Sequence, residues 1–234
     1  MDERLGLLSF VGQATGYWAM LWGSQGSSAV QVGAEGPLHA SSPQPVGEGR
    51  TSLEGPSGAL EVSWSPAGPM LEFAIGEGCV RVHAVSASTS GAGENLSGPG
   101  VLWDLPARGH SAIRTAWAAT AKSALTVLVA VRPEDSREHG EEIVGAARLL
   151  PGAEPYGYVE PLLSTEYDAG GTHTRATLEL WSGEGEGAPE RGGGVRVSGA
   201  AFDAVPGNGR VEAARFAWRL DGAPAIGAYE ILES

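Results

Sequence analysis

The stretch from Ala112 to Arg132, AIRTAWAATAKSALTVLVAVR, is the most continuously apolar in the chain and constrains the fold more than any other. It reads as two strands folded about Lys122-Ser123. Leu125, Val127, Val129 and Val131 fall on one face of the second strand, Thr126 and Arg132 on the other. A hairpin this apolar belongs at the centre of a sheet, where neighbours cover both of its faces. The run Ala116–Val131 is broken by Lys122 and is too short to span a bilayer.

The rest of the chain is built from short period-2 segments. Arg4–Val11 and Gly16–Gly23 read as an opening hairpin, with Trp18, Met20 and Trp22 sharing one face. Ser28–Gly33 reads as a third strand, and Gly36–Gly49, with its three prolines, as a long surface loop. Ala59–Ser65 and Pro69–Ile75 alternate apolar with polar residues, and Ser65-Pro66-Ala67-Gly68 reads as the turn between them. Cys79–Ala87 continues the meander, and Ser88–Gly100 is the most linker-like piece. Beyond the central hairpin, Asp135 or Ser136 as N-cap and Gly140 as stop predict one short helical turn. Six further strands follow: Ile143–Leu150, Tyr156–Tyr167, Thr172–Trp181, Val195–Phe202, Arg210–Leu220 and Ile226–Leu232. The expected fold is all-β, a large antiparallel sandwich or lipocalin-like barrel of about fifteen strands. Residues 1–234 are expected to form a single domain, with 88–100 as the joint if sub-sheets 1–87 and 101–234 exist.

Composition narrows the function classes. A net charge of −13 opposes nucleic-acid binding, since phosphates would be repelled. Of the 15 basic residues only Lys122 is lysine, which reads as the usage of a GC-rich bacterial genome. A single cysteine, Cys79, permits no intramolecular disulfide and suits a reducing cytoplasm; it is expected to be buried and inert. The acidic start MDERLGLLSF has neither the basic region nor the apolar core of a signal peptide.

No catalytic constellation is visible. His39, His83, His110, His139 and His173 show no ligand spacing, so no metal site is expected, and no cofactor motif appears. His139, Glu141 and Glu142 read as a solvated charge run, and Glu160, Glu166 and Glu230 as solvent-facing carboxylates. Arg114 interrupts an apolar strand, and a buried arginine must find a partner or a ligand anion. Seven tryptophans against four phenylalanines suit either cavity walls or sandwich cores. Trp18, Trp22, Trp117, Trp181 and Trp218 are the candidates to line one apolar cavity, with Arg114 as its polar anchor.

The order of elements from Ala112 onward resembles the lipocalin-like β proteins of the hydroxyneurosporene hydratase, AttH and tocopherol-cyclase kind. The matching pieces are Arg114 with Trp117, Tyr167-Asp168-Ala169-Gly170-Gly171, Leu178-Glu179-Leu180, and Asp221-Gly222 with Gly227-Ala228-Tyr229-Glu230. The family's Arg-Asp-His-Ser-Trp strand stands here as Arg114-Thr115-Ala116-Trp117, without its acid and histidine. The resemblance therefore implies a binder of a hydrophobic small molecule, lipid or isoprenoid, related to lipid-modifying enzymes without their acid chemistry. The alternative is a β-sandwich interaction module with a filled core and no ligand. Volume separates the two, because a binder needs open space and a module has none.

Overall fold

The computed structural model describes residues 4–12, 16–23, 26–33, 36–42, 49–55, 58–76, 78–91, 95–122, 124–136, 141–183, 188–203 and 209–234. Alternation of apolar residues along the chain builds an antiparallel all-β protein of seventeen strands, and the described residues contain no α-helix. The first eight strands are β1 (Arg4–Val11), β2 (Tyr17–Gly23), β3 (Gly26–Gly33), β4 (Gly36–Ser42), β5 (Arg50–Gly55), β6 (Gly58–Ile75), β7 (Gly78–Gly91) and β8 (Ser97–Pro106). They form one sheet in the order β4-β3-β2-β1-β8-β7-β6-β5. The remaining nine are β9 (His110–Thr120), β10 (Leu125–Pro133), β11 (Ile143–Leu149), β12 (Tyr156–Gly157), β13 (Val159–Tyr167), β14 (His173–Trp181), β15 (Glu190–Asp203), β16 (Arg210–Leu220) and β17 (Ala223–Glu233). Their order is β12-β11-β10-β9-β17-β16-β15-β14-β13.

Both sheets follow one plan. Each is an up-and-down meander whose first strand pairs with its last, β1 with β8 and β9 with β17. Each curls until its outer strands approach, β4 beside β5 and β13 beside β11. The two curled sheets stand back to back, which creates three apolar layers. Leu8, Phe10, Trp18 and Met20 fill the first barrel, and Leu128, Leu178, Phe216 and Trp218 the second. Between the sheets, Leu7, Tyr17 and Trp103 of the first meet Trp117, Val127 and Val129 of the second. Strands in the middle of either sheet are thus covered on both faces, which is why β9 and β10 lack the polar alternation of a half-exposed strand.

Four expectations change. The segment expected as a loop after Gly36 begins with β4, which pairs along β3 from Gly33↔Gly36 to Ser27↔Ser42. Main-chain pairing to an edge strand requires no apolar alternation, so the sequence carries no sign of it. Ser65–Gly68 is not a hairpin turn but lies within the single strand β6, where residues 67–69 bulge opposite β7 between Pro66↔Val85 and Met70↔His83. Pro66 and Pro69 lack the N–H that regular pairing needs, and a bulge accommodates them without ending the strand. The linker-like Ser88–Gly100 supplies the ends of β7 and β8 inside the first sheet; the two sheets join at 107–109. Of the expected helical turn, 137–140 lies outside the described residues, and Ser136 N–H closes a turn onto the Pro133 carbonyl at 3.2 Å. Cys79 is half-buried rather than buried.

Candidate functional site

The second barrel has an apolar waist and a polar cluster at each end. At one end, β9, β10, β13 and β17 bring Arg114, Arg132, Thr165 and Tyr229 together. Glu142 is ion-paired to Arg114 and accepts from Arg132 Nη2 at 2.9 Å, its side chain only 8% exposed. Arg114 Nη1 also donates to Thr165 Oγ1 at 3.0 Å, and the Thr165 and Tyr229 hydroxyls are 2.5 Å apart. Burial pushes the Tyr229 hydroxyl up to about 12. Glu142 is therefore no solvated residue but the anion that a buried Arg114 requires. His173 lies beside this cluster, stacked on Phe216, with Nδ1 3.0 Å from Glu212.

At the other end a cleft of about 350 Å³ opens at the barrel mouth, lined by Tyr156, Tyr158, Leu180, Ser182, Glu190 and Asp221 among others. The two tyrosine rings meet edge to face with centroids 5.3 Å apart. The Tyr158 hydroxyl donates to Glu190 Oε2 at 2.6 Å, and Arg148 pairs with the other oxygen. Burial, and then the hydrogen bond to Glu190, raise the Tyr158 hydroxyl well above its ordinary value, so it stays a donor. Asp221, in the β16–β17 turn with φ +46°, accepts the Arg191 N–H at 2.9 Å.

Between these ends the waist is shut. A small void bordered by Thr126, Leu128, Leu178 and Trp218 has no room for a water molecule. Thr126 Oγ1 and Trp218 Nε1 both lie there without a hydrogen-bond partner.

A third polar group sits in the layer between the sheets. Glu230 of β17 is fully buried; its carboxyl accepts from the Tyr17 hydroxyl at 3.0 Å and from Thr115 Oγ1 at 2.8 Å. Nearby, Trp117 Nε1 donates to Ser9 Oγ at 3.0 Å. Glu160 and Glu166 are exposed as expected, but Glu230 is not, because the first sheet covers its face. The signal was present: Glu230 falls on the same strand face as the apolar Ala228 and Leu232.

The six candidate residues occupy separate places. Trp18 and Trp22 do share a face, that of the first barrel, where Trp22 packs on Trp64 with centroids 6.2 Å apart. Trp117 faces the layer between the sheets, Arg114 and Trp218 point into the second barrel, and Trp181 is 40% exposed on its outside. One cavity does not gather them, since the back-to-back arrangement sends neighbouring faces into different layers. Glu190, Tyr158 and Arg148 at the mouth escaped sequence reading because two separate strands, β15 and β11, and the link at Tyr158 bring them together. Among the described residues no group of His, Cys, Asp or Glu side chains has the arrangement of a metal site.

Solved structures share this architecture. A protein from Nitrosomonas europaea assigned as an AttH (NE1406) superposes with a TM-score of 0.59 at 11% identity, covering 100% of this chain and 92% of that one. The chain has an AttH-like fold. CghA, solved alone and with Sch210972, superposes with a TM-score of 0.54 at 10% identity, over 99% of this chain and 88% of CghA. The likeness spans both sheets, including the first third of the chain, where no sequence resemblance was legible. No family model matches the chain, and no curated protein does. Among the described residues no helix is long and apolar enough to cross a membrane.

Proposed function

We propose that this chain binds a small amphipathic molecule at the mouth of the second barrel. The cleft of about 350 Å³ carries the reading, because it offers open volume of ligand size at the mouth of a barrel whose waist is closed. Pro189 and the tyrosine rings supply apolar contact; Ser182, Glu190 and Asp221 supply hydrogen-bonding groups. A neighbour of the same fold, CghA, was solved with Sch210972, which supports ligand binding as a use of this architecture. A lipid or isoprenoid with a polar head is the expected class, its head against Glu190 and Asp221 and the start of its hydrocarbon against the exposed Tyr156 ring. Of the six tryptophan and arginine candidates, Arg114 and Trp218 belong to this barrel but lie below the mouth.

The test is native mass spectrometry for a co-purifying compound, followed by titration with fatty acids, fatty alcohols and isoprenoid alcohols. Tyr158→Phe removes the hydroxyl that fixes Glu190 at the rim and is expected, by releasing that carboxylate, to weaken binding about tenfold. Absence of binding by every lipophile would favour the interaction-module reading. That reading has its own support in the exposed row Ile226, Ala217 and Val195, adjacent in register on the outside of β17, β16 and β15.

A further inference from the structure

Glu230 is a fully buried carboxyl in the contact between the two sheets, and among the described residues no charged side chain hydrogen-bonds to it. The groups that reach it are hydroxyls: Tyr17 from β2 of the first sheet, Thr115 from β9 of the second, and Ser9 from β1. A hydroxyl can turn to accept a proton from a carboxylic acid or to donate one to a carboxylate, but it carries no charge to offset ionisation. We propose that Glu230 makes the docking of the two sheets pH-sensitive: the neutral acid is tolerated in the closed layer between them, and its ionisation puts a charge without a cationic partner there and loosens them.

The charged groups around it do not cancel this effect. On β16 the residue opposite Glu230 is Ala213, and Arg215, two positions further along the same face, has a buried Nη1 without a hydrogen-bond partner and does not reach the carboxyl. On β15, Arg196 acts on Tyr17 through space but is itself committed to Glu212. On β2, Tyr17 is itself held neutral: burial and then Glu230 raise its hydroxyl well above the ordinary value. On β1 and β9, Ser9 and Thr115 are uncharged. Burial is the largest influence on Glu230 and raises its carboxyl from an ordinary 4.5 to about 7, with the hydroxyl donors opposing.

The sign follows from which state releases its proton first. When the sheets separate, the carboxyl reaches water and ionises above its ordinary value near 4.5, whereas docked it keeps its proton to about 7. Docking is therefore strongest below about 4.5, weakens through the interval up to about 7, and changes no further above it. The docking equilibrium falls on the order of a hundredfold across that interval.

Carbon-13 NMR of the Glu230 carboxyl is expected to show a midpoint near 7. Tyr17→Phe, which removes a donor that favours the ionised form, is expected to move that midpoint higher. Amide exchange at Ser9 and Thr115, corrected for the intrinsic pH dependence of exchange, is expected to accelerate from pH 5 to pH 7.5 in the wild type and to stay level in Glu230→Gln, which is isosteric and permanently neutral. A carboxyl midpoint near 4.5, or equal acceleration in Glu230→Gln, would overturn the proposal. Should the glutamine variant not fold, the wild-type midpoint and its displacement in Tyr17→Phe decide the matter alone.

Discussion

Trp218 lies flat across Gly194 in the second barrel: a Cβ built on the glycine would stand 2.6 Å from the indole ring. The two residues are cross-strand partners on β15 and β16, and the ring occupies the space that a side chain at 194 would need. With Trp218 only 2% exposed, the indole has nowhere to move.

Gly194→Ala is accordingly expected to destabilise the protein by roughly 1–3 kcal/mol, the usual cost of overpacking. The first barrel offers a matched control. Trp22 covers Gly6 in the same way, with a Cβ contact of 2.1 Å, but Trp22 is only half-buried and can swing outward. Gly6→Ala is expected to cost less than Gly194→Ala in urea unfolding followed by tryptophan emission. The reverse order would show that the waist of the second barrel is less tightly filled than its packing indicates.

Glu142→Gln removes the anion from between Arg114 and Arg132 while keeping the side-chain shape. Breaking a buried pair leaves an uncompensated charge, and the expected loss is about 3 kcal/mol, the lower end of the usual range, because Arg114 keeps Thr165 and Tyr229. Arg114→Met with Glu142→Met together should recover part of that loss. A single Glu142→Gln as stable as the wild type would mean that the arginines reach water.

Acid weakens a different contact from the one at Glu230. Burial tends to raise the Glu212 carboxyl, but the hydrogen bonds and charges of His173 and Arg196 outweigh it and hold the group below its ordinary 4.5. A depressed carboxyl adds stability above its unfolded value and loses it as pH falls through the folded one. Glu212→Gln should therefore lie below the wild type in urea midpoint at pH 5 and converge with it toward pH 3. Parallel curves over that range would remove Glu212 from the acid limb.

Much of the site was present in the sequence as residue types without partners. Arg114 announced itself by interrupting an apolar strand, which left a protein partner and a ligand anion both open; Glu142, its partner, was read as part of a solvated run because the contact spans 28 residues. His173 is in phase with the polar Arg175, Thr177 and Glu179 in the sequence but is buried, stacked on Phe216 from another strand. The mouth cleft had no sequence signature, since Arg148, Tyr158 and Glu190 are unremarkable wherever they are read singly.

What the sequence determined by itself was local: the antiparallel all-β class, the apolar β9–β10 hairpin, and which residues share a face, because side chains alternate along any extended strand. The tertiary structure decided what each face meets. The pairing of β1 with β8 and of β9 with β17 divides the strands into two sheets of one plan, though no repeat is visible in the residues. The back-to-back packing then makes Trp18 and Trp117 core residues of different layers and takes Glu230 out of water. Burial is a property of what covers a residue, and here the cover comes from strands up to 213 residues away, as Tyr17 and Glu230 show.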